Sequence, residues 1–174
     1  MLALPVAHRE GWGMDQAAMA FRPIGVISTP FRTLDECPRN IRQMDPPPLC
    51  RVRLEPEYVP GLLGIDSFSH LILLYWLHQA RPPRMVFTPH FADRERGLFA
   101  TRSPSRPNPI GLAVVALEGR EGADTLLVRT LDCLDGTPLL DVKPYLVTVD
   151  CRAEASMGWL ARPGDRPADV TGPG

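Results

Sequence analysis

Lysine is almost missing from this chain of 174 residues: of its 19 Lys and Arg side chains, only Lys143 is a lysine. In a sequence so biased towards arginine, a position that needs only positive charge drifts to Arg, which marks Lys143 as a position with a more specific need. Net charge is scarce too. At −1 overall, the molecule as a whole has no strong pull on nucleic acid or an anionic membrane, so any such attraction must be local. The four cysteines (37, 50, 133, 151) never stand at C-x-x-C spacing. With no secretory leader in the proline-broken apolar stretch 1–7, reduced thiols in the cytoplasm are expected. No apolar run reaches membrane-spanning length, and no membrane partner is expected. Glycine-rich phosphate loops and a G-x-S-x-G elbow are absent, which argues against Rossmann, P-loop and serine-hydrolase chemistry. Asp132, Asp135 and Asp141 lack the spacing of a calcium loop, and no metal is expected.

What is present in quantity is proline, 20 residues, with 14 glycines and a 44% hydrophobic share. That combination predicts one domain with many loops and turns and little long helix. Residues 1–20, aperiodic and holding a second methionine at Met14, read as a flexible extension. Strands are predicted at 21–28, 49–55 (alternating Cys50, Val52, Leu54 against Arg51, Arg53, Glu55), 84–88, 110–117, 125–131 and from 139. The nearly unbroken apolar run 68–78 predicts a strand buried on both faces, opened by His70 and closed by His78-Gln79. Residues 31–48 and 56–66 are predicted to be irregular, and Asp135-Gly136 before Pro138 predicts a tight turn. Residues 151–174 read as a short segment, partly disordered, with a helix at about 153–159.

One stretch, 99–112, stands out, with Pro104, Pro107 and Pro109 fixing φ and removing N–H donors between two apolar runs. It predicts a stiff loop that presents Arg102, Arg106 and Asn108 with little backbone entropy left to lose on binding. Between 81 and 106 six arginines face two carboxylates, which supports either a phosphate- or carboxylate-binding face or simply a solvated surface. The loop ends at 38–40, 78–79, 102–112 and 130–145, if they converge, suit a small amphoteric ligand.

Four strings in order, FRPIGVISTPF (21–31), FSHLILLYWLH (68–78), FATRSPSRPNPIGL (99–112) and LDGTPLLDVKPY (134–145), resemble the TsaA/TrmO-like (YaeB-like) family over about residues 21–150. The resemblance implies an all-β fold, a small antiparallel β-barrel with long functional loops, and a homodimer. It also implies an S-adenosylmethionine-dependent methyltransferase acting on N6 of threonylcarbamoyladenosine beside the tRNA anticodon. Cofactor contacts carry over to Pro38, Arg39 and Asn40 (where the family usually has glutamine), to His78 and Gln79, to Arg102 and Leu112, and to Thr130, Leu131 and Asp132. On this reading Arg102 pairs with the methionine carboxylate, Leu112 and Leu131 cover apolar parts, and groups near Asp132 offset the sulfonium charge. Asp135, Lys143 and Tyr145 are candidates for acid–base catalysis, and Arg106 and Asn108 for holding the acceptor. The resemblance stops short of the C-terminal domain with which the bacterial enzyme helps grip tRNA. Two further readings are a methyltransferase for a small molecule or another RNA, and a non-catalytic cofactor- or RNA-binding module.

Overall fold

The computed structural model describes residues 20–38 and 44–161. Its strands are β1 (Gly25–Ser28), β2 (Leu49–Leu54), β3 (His70–Trp76), β4 (Val86–Phe87), β5 (Arg96–Gly97), β6 (Ile110–Glu121), β7 (Thr125–Arg129) and β8 (Thr137–Pro144). Six of them close an antiparallel barrel in the order β1-β2-β7-β6-β3-β8, and β4 pairs with β5 as a separate two-stranded ribbon. Closure leaves the barrel no open edge. The chain divides into two compact units, Met1–Pro144 and Tyr145–Gly174. The second unit holds one helical turn, α1 (Val147–Asp150), and a 3₁₀ turn, Gly158–Leu160. The helix expected at about 153–159 is not formed: 153–157 is turn and irregular backbone, and Gly158, at φ 53° in the left-handed region, opens the 3₁₀ turn instead of continuing a helix.

Alternation decides what enters the barrel. On β2, Cys50, Val52 and Leu54 are buried while Arg51 and Arg53 stay outside. β3 follows the same rule with Leu71, Leu73 and Tyr75 inside, and its other face, Ile72, Leu74 and Trp76, is only half buried. The expectation of burial on both faces fails because the wall of a closed barrel has the core on one side only. The stretch 56–66 is also more ordered than expected: 3₁₀ turns Pro56–Leu62 and Ile65–Ser67 deliver Leu62 and Ile65 into the core.

The registers place the connections 29–48, 77–109 and 130–136 at one end of the barrel, while the rest of the 130–145 stretch runs along β8 to the other end. β1 ends where β2 begins (Ser28 opposite Arg51), β7 ends opposite Leu49, β3 ends opposite the first residue of β6 (Trp76 opposite Ile110), and β8 begins opposite Ile27. The connections 29–48, 77–109 and 130–136 therefore all leave from the same rim, and the opposite rim carries 55–69 and the 122–124 turn. The 130–136 connection is clamped to β1. Asp135 Oδ1 accepts from the Thr29 N–H at 3.1 Å, and the Gly136 N–H donates to Ile27 O at 2.9 Å with Gly136 at φ 76°, as its Asp-Gly pair predicts.

Two glycines hold the wall at close approach. A Cβ on Gly111 would lie 2.1 Å from the Tyr75 ring directly across the strand pair, and one on Gly25 would lie 2.2 Å from the backbone oxygen of Arg53. Gly111→Ala is expected to cost about 1–3 kcal/mol in denaturant unfolding, as other overpacked sites do, and to recover most of it in a Tyr75→Val background. Gly25→Ala meets backbone, so no side-chain replacement should rescue it.

Candidate functional site

The 98–110 segment is rigid for two reasons that the sequence joins. Its prolines restrict φ, and short polar side chains supply the bonds that regular structure would have made. Thr101 Oγ1 donates to Leu98 O at 2.8 Å and accepts from the Ser103 N–H at 3.3 Å, and Ser103 Oγ accepts from the Ser105 N–H at 3.4 Å. The arginines are fixed too: Arg106 Nη1 donates to Thr101 O and Arg102 Nη2 to Leu112 O, both at 3.0 Å. Arg102 thus folds back on the strand that leaves the loop and stays exposed.

Beside it lies the 130–136 connection. Thr130 takes φ 74°, a strained conformation for a β-branched residue, and its hydroxyl donates to Arg129 O. The turn directs alternate residues apart: Leu131 and Cys133 go into the core at 0% and 2% exposure, and Asp132 points to solvent. Tyr75, 3% exposed, donates from its hydroxyl to Asp132 Oδ1 at 3.4 Å. Although Asp132 reaches solvent, loss of water around its carboxyl raises its pKa, with the Tyr75 hydrogen bond and the Arg102 charge opposing the rise. Burial, followed by the Asp132 charge, holds the Tyr75 hydroxyl far above the usual phenol range. Cys37 is raised by burial first and by the charge of Asp132 second. The Cys37 thiol thus feels the same carboxylate from the 29–48 connection.

The structure therefore puts Arg102, Thr130, Leu131 and Asp132 on one rim, with Pro38 in the 29–48 connection of that rim, and Arg102 reaches Leu112 O while the Leu112 side chain, opposite Leu74, faces the outer wall. Leu131 can present only its backbone there, since its side chain belongs to the core. His78 and Gln79 lie on the same rim, where the Leu77 N–H donates to Pro109 O at 2.8 Å and the His78 and Gln79 side chains approach to 3.4 Å. Arg39 and Asn40 lie outside the described residues. Asp135 has both carboxylate oxygens engaged, one by Thr29 and the other by Arg32 at 2.8 Å. Those two also line a rim cavity of about 420 Å³ that includes neither Arg102 nor Asp132. Lys143 is on the outer wall opposite Ile72, paired with Asp141 at 2.6 Å, away from the rim loops. Tyr145 opens the second unit, where partial desolvation and the neighbouring Cys151 and Asp150 raise its hydroxyl. Among the described residues no group of His, Cys, Asp and Glu is placed to hold a metal ion, and no helix is long and apolar enough to cross a membrane.

Sequence reasoning missed Tyr75, Gly111 and Cys37. The signal for Tyr75 was available: it carries the one phenol of the apolar run 68–78, at a position that alternation turns inward. Because its hydrogen bond lowers the Asp132 pKa, Tyr75→Phe should move that carboxyl further up, measurable by NMR titration; an unchanged or lower value would remove the contact. The linkage sign is definite. A carboxyl raised by folding binds its proton more tightly in the native state, so between the ordinary and the raised value stability falls as pH rises. Asp132→Asn should flatten that slope.

The chain resembles several characterised proteins over the barrel and its loops. An S-adenosyl-L-methionine-binding protein of Archaeoglobus fulgidus is 43% identical over 133 residues, covering 76% of this chain and 94% of that one. The tRNA (adenine(37)-N6)-methyltransferase of Escherichia coli is 32% identical over 162 residues, covering 82% of this chain and 64% of the relative. The crystal structure of TrmO from Pseudomonas aeruginosa superposes with a TM-score of 0.70 at 36% identity, over 86% of this chain and 66% of that one. The chain thus spans slightly under two thirds of these two longer relatives. The family model of the tRNA-methyltransferase O N-terminal domain matches residues 26–151, a span that contains every rim loop, and the chain belongs to this family.

Proposed function

We propose that the chain is an S-adenosylmethionine-dependent methyltransferase that modifies N6 of adenosine 37, as threonylcarbamoyladenosine, in tRNA in the cytoplasm. The observation that carries this reading is that Arg102 and Asp132 share one rim of a barrel whose family includes the tRNA enzyme, with Leu112 where that rim meets the outer wall. The donor set fits the cofactor. A fixed, exposed guanidinium suits its carboxylate, and the 47% exposed Leu112 offers apolar cover. Asp132 supplies negative charge opposite a sulfonium. When bound, S-adenosylmethionine supplies an activated methyl group.

The residues of the chain have the task of alignment. Direct displacement needs the N6 nitrogen in line with the methyl carbon, and holding the two partners so is worth several kcal/mol, on the order of 7 or more. Arg106 and Asn108, on the stiff loop next to Arg102, orient the acceptor in this reading. Of the acid–base candidates, Asp135 is the one on the rim; to receive the N6 proton it has to give up its bond to Thr29 or to Arg32. Tyr145 belongs to the second unit and is given no role on this rim, and Lys143 enters only through a second copy. A homodimer belongs to the same reading and is supported by the outer wall. There Ile110, Leu112 and Val114 are 36%, 47% and 43% exposed and stand opposite Trp76, Leu74 and Ile72, an unbroken apolar face.

A second reading, cofactor binding without transfer, is favoured by the match to archaeal S-adenosyl-L-methionine-binding relatives over nearly their whole length. Incubation with methyl-labelled cofactor and tRNA from a strain lacking the gene separates the two: label in tRNA is expected, and binding without label would leave the second reading. Arg102→Ala should weaken cofactor binding about tenfold or more in calorimetry; unchanged affinity would remove its carboxylate role. Light scattering at micromolar concentration should give twice the chain mass of 19.3 kDa, and the monomer mass would remove the dimer alone.

A further inference from the structure

Phe99 is 70% exposed, yet it is one of the best-anchored residues of the rim. It occupies the centre of the 3₁₀ turn Leu98–Ala100, whose first residue, Leu98, is 1% exposed and donates its N–H to Met85 O at 2.9 Å. The turn closes with the Thr101 N–H on Leu98 O at 3.1 Å. A large aromatic ring is thus pinned outward by its buried neighbour instead of folding onto the barrel, at a solvation cost of the order that burial of such a ring would recover. Arg106 lies over one face of that ring, its guanidinium carbon 5.6 Å from the centroid, and is held there by its bond to Thr101 O. At this exposure most of the Phe99 surface is left to solvent.

We propose that Phe99, with Arg106 held over it, is a stacking platform for an unpaired base of the acceptor RNA, next to the adenosine that is modified. The inference rests on the tRNA reading above and adds to it a named contact. Bases unstacked in RNA loops are bound on aromatic faces and guanidinium planes, and the same cation meets the flanking phosphate. The position is right for this task. Phe99 is three residues from Arg102, the candidate contact of the cofactor carboxylate, on a segment too stiff to drift. The 77–109 connection, with six arginines against Asp93 and Glu95, gives the local positive field that a nearly neutral chain otherwise lacks. A ring pre-set in this way loses little conformational entropy when a base arrives.

The test uses an anticodon stem–loop RNA with 2-aminopurine in the loop, the full chain, and the variants Phe99→Ala and Phe99→Trp. Binding to the unaltered protein should quench the 2-aminopurine fluorescence through stacking. Phe99→Ala should lose the quench and weaken RNA binding about fivefold or more, with cofactor affinity in calorimetry and mass in light scattering unchanged. Phe99→Trp should restore both RNA readouts. If RNA binding and quenching are indifferent to Phe99→Ala, the platform is wrong while the tRNA reading stands. If Phe99→Ala instead alters the mass or the cofactor affinity, Phe99 serves a second copy or the cofactor, and the platform is overturned. An unaltered protein that retains no RNA at all would remove the tRNA reading and the platform with it.

Discussion

The contact on which the site depends is the ring of Tyr75 lying where a side chain of Gly111 would be. The two residues are directly opposed in the β3–β6 pair, and the ring fits only because one strand carries hydrogen there. This close approach does two things. It sets the register of the strands from which the 77–109 connection leaves and returns, and it fixes the Tyr75 hydroxyl against Asp132 on a third strand connection. A core packing contact thereby becomes the link between two of the three functional loops.

The electrostatics of the rim follow from the same geometry. Asp132 sits where burial raises its carboxyl, and a buried phenol and an exposed guanidinium pull it back. A carboxylate held in that balance responds to any additional positive charge brought near it. Asp135, three residues on, has the opposite character: both oxygens are committed to the β1 exit and to Arg32, so it also acts as a clamp that holds the loop in shape. One short connection thus contains a structural carboxylate and a responsive one.

The barrel also explains how a chain with so little net charge presents a charged site. A local positive excess is concentrated in the 77–109 connection on the rim, while charges elsewhere, such as Arg51 with Glu121 and Lys143 with Asp141, are matched in ion pairs. The outer wall of β3 and β6 is apolar and the rim is polar, so the two surfaces suit different kinds of partner.

The sequence by itself determined that the chain is all-β, since alternation in 49–55 and 125–131, the apolar run 68–78 and the proline count leave little room for helix. It also determined that 99–112 is a stiff arginine-bearing loop, because proline constrains φ wherever it stands. Its four ordered motifs named the family. Only the tertiary structure decided that 29–48, 77–109 and 130–136 share one rim, because that follows from strand order and register, which pair residues far apart in the chain. The fold also turned Leu131 inward and Asp132 outward, set Lys143 on the outer wall, and brought Tyr75 from a core strand to the site. None of these is local. Each depends on which face of a closed sheet a residue meets, and local sequence alone does not specify that for a residue in a loop or beside a bulge.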